Sequence, residues 1–115
     1  MKTLIIEDEQ PAAKRLTKLL DEYCPSCEIK AYADSVESAT FWLQSNPSPD
    51  LIFMDIQLAD GLSFSIFEQA EVTCPVIFTT AYDQYAIKAF KVNSIDYLLK
   101  PIEPEALQNA WNKFQ

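Results

Sequence analysis

Four short, unbroken apolar runs constrain this chain more than anything else in it. They are Leu4-Ile5-Ile6, Leu51-Ile52-Phe53-Met54, Val76-Ile77-Phe78 and Tyr97-Leu98-Leu99. A strand with one face in water alternates apolar and polar residues. A run without alternation reads as a strand buried on both faces, the mark of a parallel sheet covered by helices. A fifth segment, Glu28 to Ala33, does alternate. Ile29, Ala31 and Ala33 share one face, and Glu28, Lys30 and Tyr32 share the other. That suits an edge strand with one wetter side.

Helical patterns fill the gaps between these runs. Ala12, Leu16, Leu19, Leu20 and Tyr23 fall on one face at helical spacing. Pro11 suits the first turn, where a missing N–H costs little. A second helix is predicted from near Asp34, with Glu37 placed for a capping box. It runs to about Ser45 and stops at the loop Asn46-Pro47-Ser48-Pro49. A third follows Gly61. A fourth carries Tyr82, Tyr85, Ala86 and Ala89 on one stripe, and the last carries Leu107, Ala110, Trp111 and Phe114. The order is βα repeated five times, which implies an α/β fold with a parallel sheet and helices on both faces. Right-handed crossovers restrict the topology further. The expected architecture is a flavodoxin-like, doubly wound (βα)5 domain of strand order 2-1-3-4-5, with the alternating second strand on an edge.

A chain of 115 residues, 49% of them apolar, has room for one such domain and enough apolar material for its core. The expected domain is therefore residues 1–115. The abrupt end at Gln115 suggests the N-terminal part of a longer protein. No apolar run approaches a membrane span, and Met1 to Ile6 lead straight into acids rather than into a signal peptide. The cytoplasm is the expected compartment. A net charge of −8 opposes nucleic-acid binding by this segment. Without a histidine, His-based catalytic dyads and triads are excluded and the common zinc sets are depleted.

The polar residues that follow the strands carry the chemistry. Glu7 and Asp8 follow the first strand, Asp55 the third, Thr80 the fourth and Lys100 the fifth. Open α/β sheets build their sites at these carboxyl ends. In the order 2-1-3-4-5 the first and third strands are neighbours, so Glu7, Asp8 and Asp55 converge. Three carboxylates in one crevice repel one another and call for a hard divalent cation with oxygen ligands, such as Mg²⁺. Lys100 adds a positive charge and Thr80 a hydroxyl. A carboxylate nucleophile beside a metal, a lysine and a hydroxyl is a constellation for phosphoryl transfer.

The same residues resemble the receiver domains of two-component response regulators over essentially the whole chain. The segments that carry the resemblance are Leu4-Ile5-Ile6-Glu7-Asp8-Glu9, Phe53-Met54-Asp55-Ile56-Gln57-Leu58 with Asp60-Gly61, Thr79-Thr80-Ala81, and Asp96-Tyr97-Leu98-Leu99-Lys100-Pro101. Each is weakly specific alone; in this order, each after its own strand, they are strong. The resemblance implies that Asp55 is the phosphoacceptor and that Asp8 binds Mg²⁺ directly. It implies that Glu7 reaches the metal through water and that Gln57 offers its backbone carbonyl. Thr80 and Lys100 would contact the phosphoryl group, and the Lys100-Pro101 bond resembles the family's cis peptide. Thr80 and Tyr97 stand where the family has its switch pair. Gln57 and Tyr82 stand where relatives tune hydrolysis of the acyl phosphate.

One position departs from the usual pattern. Glu7 stands where Asp is more common, and its extra methylene shifts a bridging water or weakens Mg²⁺ binding modestly. The stretch from Asp55 to Phe64, with Tyr85-Ala86-Ile87-Lys88-Ala89-Phe90, resembles receivers that precede LytTR-type DNA-binding domains. The implied partners are a sensor histidine kinase, a covalently linked output domain and a second copy of the chain. Dimerisation would use the face of the fourth helix and fifth strand.

Blander and rival readings stand beside this one. Asp8 alone reads as a cap of the first helix, Thr80 as a strand-end hydroxyl, and Tyr97, Trp111 and Phe114 as packing. A Mg²⁺-dependent phosphohydrolase uses the same aspartyl chemistry, but Gln57 occupies the place of a second acid two residues after Asp55. Cys24-Pro25-Ser26-Cys27 could be a thiol redox pair. It follows a helix and precedes a strand, however, so it lacks the helix N-terminus that favours a thiolate. Cys74 is a lone third cysteine.

Overall fold

The computed structural model describes residues 1–81 and 94–114. Five strands form one parallel sheet: β1 (Lys2–Ile6), β2 (Glu28–Ala33), β3 (Leu51–Asp55), β6 (Val76–Thr80) and β7 (Ser94–Leu99), in the order β2-β1-β3-β6-β7. The ribbon of β4 (Gln57–Leu58) and β5 (Gly61–Leu62) is separate and antiparallel. Counting sheet strands alone, the order is the expected 2-1-3-4-5. β2 lies on an edge, as its alternation asks.

The unbroken apolar runs are buried on both sides. Leu4 and Ile6, Ile52 and Met54, and Val76 and Phe78 point to one face, where they meet Val36, Ala39 and Ile66. Ile5, Leu51, Phe53 and Ile77 point to the other, where they meet Leu16, Leu19, Leu20, Leu107, Ala110 and Trp111. The two-residue period of a strand divides each run between two cores. Each fully buried Leu, Ile or Phe contributes about 2 kcal/mol of transfer free energy.

Helices α1 (Gln10–Tyr23) and α4 (Pro104–Phe114) cover one face; α2 (Val36–Ser45) and the short α3 (Ile66–Gln69) cover the other. Pro11 sits in the first turn of α1 as predicted. Helix α2 starts two residues later than predicted. Its capping box is made by Ser35 and Ser38, not by Glu37. A serine three residues after the N-cap does the work that Glu does in the commoner form of the motif. The predicted third helix is a 3₁₀ turn over Ser63–Ser65 followed by one turn of α3. Trp111 and Phe114 pack together in the second core, their ring centres 5.3 Å apart. The predicted helix carrying Tyr82, Tyr85, Ala86 and Ala89 lies outside the described residues.

Candidate functional site

Strand register assembles the site. Ile6 pairs with Met54, Asp55 with Thr79, and Thr80 with Leu99. The next residue along each strand therefore emerges at the same edge of the sheet. The backbone ladder extends a step beyond the strands. Glu7 N–H donates to the Ala33 carbonyl at 2.9 Å, Ile56 N–H to Thr79 at 3.2 Å, and Lys100 N–H to Thr80 at 2.7 Å. These bonds fix the main chain from which the Glu7, Asp55 and Lys100 side chains project.

The side chains converge as the sequence predicts. Carboxylate oxygens of Glu7, Asp8 and Asp55 lie within 4.8 Å of one another. Glu7 and Asp55 are buried, and Asp8 is half-buried. Glu9, not Asp8, occupies the N-cap position of α1, and no side-chain cap bond is made there. Asp8 is thus not spent on capping. Lys100 reaches between two of the acids, with Nζ 2.5 Å from Glu7 Oε1 and 2.9 Å from Asp55 Oδ2. The Lys100–Pro101 peptide bond is cis. Thr80 is fully buried at the end of β6. Gln57 N–H lies 3.4 Å from Asp55 Oδ1. A cleft of about 230 Å³ opens over these groups, lined by Asp8, Glu9, Asp55, Gln57, Leu58, Ala81 and Lys100.

Among the described residues, one ammonium, that of Lys100, faces the three clustered carboxylates and does not balance them. Burial pushes the Glu7 carboxyl up to about 7. The Asp55 charge adds to that rise, and the Lys100 hydrogen bond offsets part of it. Burial alone would lower the Lys100 ammonium, but its bonds to Glu7 and Asp55 outweigh burial and raise it. A site whose own carboxyl is pushed toward neutrality has spare negative charge for a cation. Its donors are all carboxylate oxygens, which suits a hard divalent ion and not a thiolate-seeking one.

Some features were not legible in the sequence. Lys100 spans two acids, Glu7 and Asp55, whereas the sequence alone offered it only as an added positive charge. Arg15 of α1 donates to the Ile102 carbonyl at 2.9 Å, tying that helix to the segment after Lys100. Asp60 bonds the start of α2, 24 residues away. Only the Asp60-Gly61 turn pair hinted at a special place there. Tyr97 is half-buried against the core beneath α2 and α3. Tyr82 lies outside the described residues. Cys24, Cys27 and Cys74 are free thiols, Cys24 and Cys74 buried. Burial raises all three, and Cys24 is pushed up to about 11, with Cys27 adding to the rise. None has the depressed value of a reactive thiol.

The family model described as the response regulator receiver domain matches residues 3–112. The sensory transduction protein LytT of Bacillus anthracis is 39% identical over the whole of this chain, which spans 47% of that protein. LytT of Bacillus subtilis is 36% identical over 100% of this chain and 48% of its own length. This chain therefore spans about half the length of the curated relatives it matches. Among solved structures, the response regulatory domain of mrkE from Klebsiella pneumoniae superposes with a TM-score of 0.85 at 32% identity. That match covers 99% of this chain and 94% of the other.

Proposed function

The chain belongs to the response regulator receiver domain family, and from that premise we propose that Asp55 accepts a phosphoryl group with the help of Mg²⁺. The observation that carries this reading is the cluster at the sheet edge: Asp55 buried, bonded to Lys100 at 2.9 Å, with Glu7 and Asp8 beside it. An Asp55 carboxylate oxygen attacks phosphorus, and the bond from phosphorus to the donor's nitrogen or oxygen breaks. The electron pair leaves with the donor, a phosphohistidine or a small acyl phosphate. Asp55 and Asp8 would hold the ion directly, Glu7 through water, and Gln57 through its carbonyl. Bound there, Mg²⁺ would neutralise charge on the phosphoryl oxygens. Lys100 would move from its carboxylate partners to a phosphoryl oxygen, and Thr80 would donate its hydroxyl to another.

The consequence is a shift between two conformations, not turnover of an external substrate. Thr80 and Tyr97 would carry the change toward the face of β7. Gln57 and Tyr82 would set how fast the acyl phosphate hydrolyses. A sensor histidine kinase would be the donor, and the rest of a protein of the relatives' length would supply the output, most simply a LytTR-type DNA-binding domain. Residues 1–115 would form its receiver, and a second copy would be the partner of the phosphorylated form. Among the described residues no helix is long and apolar enough to cross a membrane, which is compatible with a cytoplasmic protein.

The test is the intact mass of the chain after incubation with acetyl phosphate and Mg²⁺, beside an Asp55→Asn variant and an EDTA control. A labile single-phosphoryl adduct that needs both Mg²⁺ and Asp55 is expected. An adduct that persists in Asp55→Asn would refute the assignment.

A further inference from the structure

The loop that follows Asp55 is pinned at its tip by one side chain. Its ribbon has two residues in each strand, too few to hold a shape unaided. At its root, Ile56 N–H donates to Thr79 and Ser63 N–H to the Ile56 carbonyl at 2.8 Å. At its tip, Asp60 accepts two bonds from α2. Val36 N–H donates to Oδ1 at 2.8 Å and Glu37 N–H to Oδ2 at 3.1 Å. The next two donors of that helix are met locally. Ser38 N–H bonds Ser35 Oγ at 2.9 Å, and Ala39 N–H bonds the Ser35 carbonyl at 3.0 Å. Of the first three donors inside the helix, Asp60 thus satisfies two and Ser35 one, and the regular helix bonds begin at Ala39. The anion also sits at the positive end of the helix. Gly61 follows with φ +141°, a backbone angle L-residues rarely adopt, so the chain can turn back directly after Asp60.

We infer that Asp60 is a positioning residue for the acceptor site, holding the loop that carries Gln57 in place by clamping its tip to α2. The inference rests on the acceptor reading above. Gln57 lies between the fixed root and the clamped tip, and its own amide is near Asp55. Mg²⁺ tolerates little departure from ideal geometry, so a carbonyl on a loose loop is a poorer ligand. Losing a group that orients a metal ligand weakens metal binding by about tenfold or more. A plain helix cap would behave differently, because it would stabilise α2 and leave the site alone. Ser35 supplies the comparison, since it caps the same turn by bonding Ser38 of the same helix.

The experiment compares Asp60→Asn and Asp60→Ala with Ser35→Ala and the unaltered chain. Calorimetry gives the Mg²⁺ dissociation constant. The rate of acetyl phosphate labelling at saturating Mg²⁺ gives the chemistry, and hydrogen exchange over residues 56–62 reports the loop. Thermal melts verify folding, and Asp60→Asn keeps the side chain's shape should the alanine variant fail. Both Asp60 variants are expected to weaken Mg²⁺ binding by roughly tenfold and to speed exchange in the loop. Ser35→Ala should lower the melting temperature and leave Mg²⁺ affinity unchanged. Equal Mg²⁺ affinity in the Asp60 variants and the unaltered chain overturns the inference, as does an equal loss in Ser35→Ala. If the unaltered chain neither binds Mg²⁺ nor takes a phosphoryl group, the acceptor reading itself has failed, and this one falls with it.

Discussion

Replacing Lys100 with methionine tests the electrostatic account of the site most directly. Lys100 Nζ lies 2.5 Å from Glu7 and 2.9 Å from Asp55, and all three side chains are largely shielded from water. Removing one partner of a buried ion pair costs about 3–5 kcal/mol, because the other charge stays buried and unpaired. Here two carboxylates lose the same partner, but Glu7 has a way out. Its carboxyl already sits at about 7, and without Lys100 it rises further. Protonating it near pH 6 is therefore cheap. We expect Lys100→Met to lose about 3 kcal/mol at pH 8 in EDTA and about half of that at pH 6. The sign follows from linkage. A carboxyl raised above its unfolded value of 4.5 binds more protons in the folded state. The stability tied to it is complete below that value and is lost as pH rises through the folded one. The variant should thus become less stable from pH 6 to pH 8. Added Mg²⁺, which takes over the neutralising role, should restore part of the loss. Urea unfolding followed by tryptophan fluorescence measures all of this, since Trp111 is buried and Trp42 packs against the other core. A variant as stable as the parent at pH 8 in EDTA, or more stable there than at pH 6, would refute the reasoning.

Asp8→Asn removes one of three clustered charges, so in EDTA it should raise stability by about 1 kcal/mol while abolishing most of the stabilisation that Mg²⁺ gives; paired urea titrations decide this. Phe53 is fully buried at the centre of the sheet, and Phe53→Ala should cost about 3–5 kcal/mol, visible as a large fall in the urea midpoint. Cys24, pushed up to about 11, should be about one part in 10,000 thiolate at pH 7. Ellman's reagent should therefore label it only on unfolding, and rapid labelling in the native state would contradict its burial.

Much of the fold could be read from the chain because its signals are local. A run such as Leu51-Ile52-Phe53-Met54 states its own burial on both faces, and Glu28 to Ala33 states by alternation that it is an edge. Once the strand order follows from the βα alternation, residues just past the strands must meet, which is why Glu7, Asp8, Asp55, Thr80 and Lys100 could be named together. Boundaries were less legible. The start of α2 depended on which of several polar residues won the capping contest, and Ser35 with Ser38 prevailed over Glu37. Asp34 with Glu37 and Ser35 with Ser38 differ by a single residue in register, and pattern alone does not rank them.

Residue periodicity and strand order are enough to fix the layered architecture and the set of groups at the sheet's carboxyl edge. The tertiary structure alone decided how those groups share charge and what holds their loop. Lys100 bridges Glu7 and Asp55 across 93 and 45 positions of the chain, and Asp60 reaches α2 across 24. Such partners are chosen by distance in the folded molecule, where removal from water makes each unmatched charge or N–H costly.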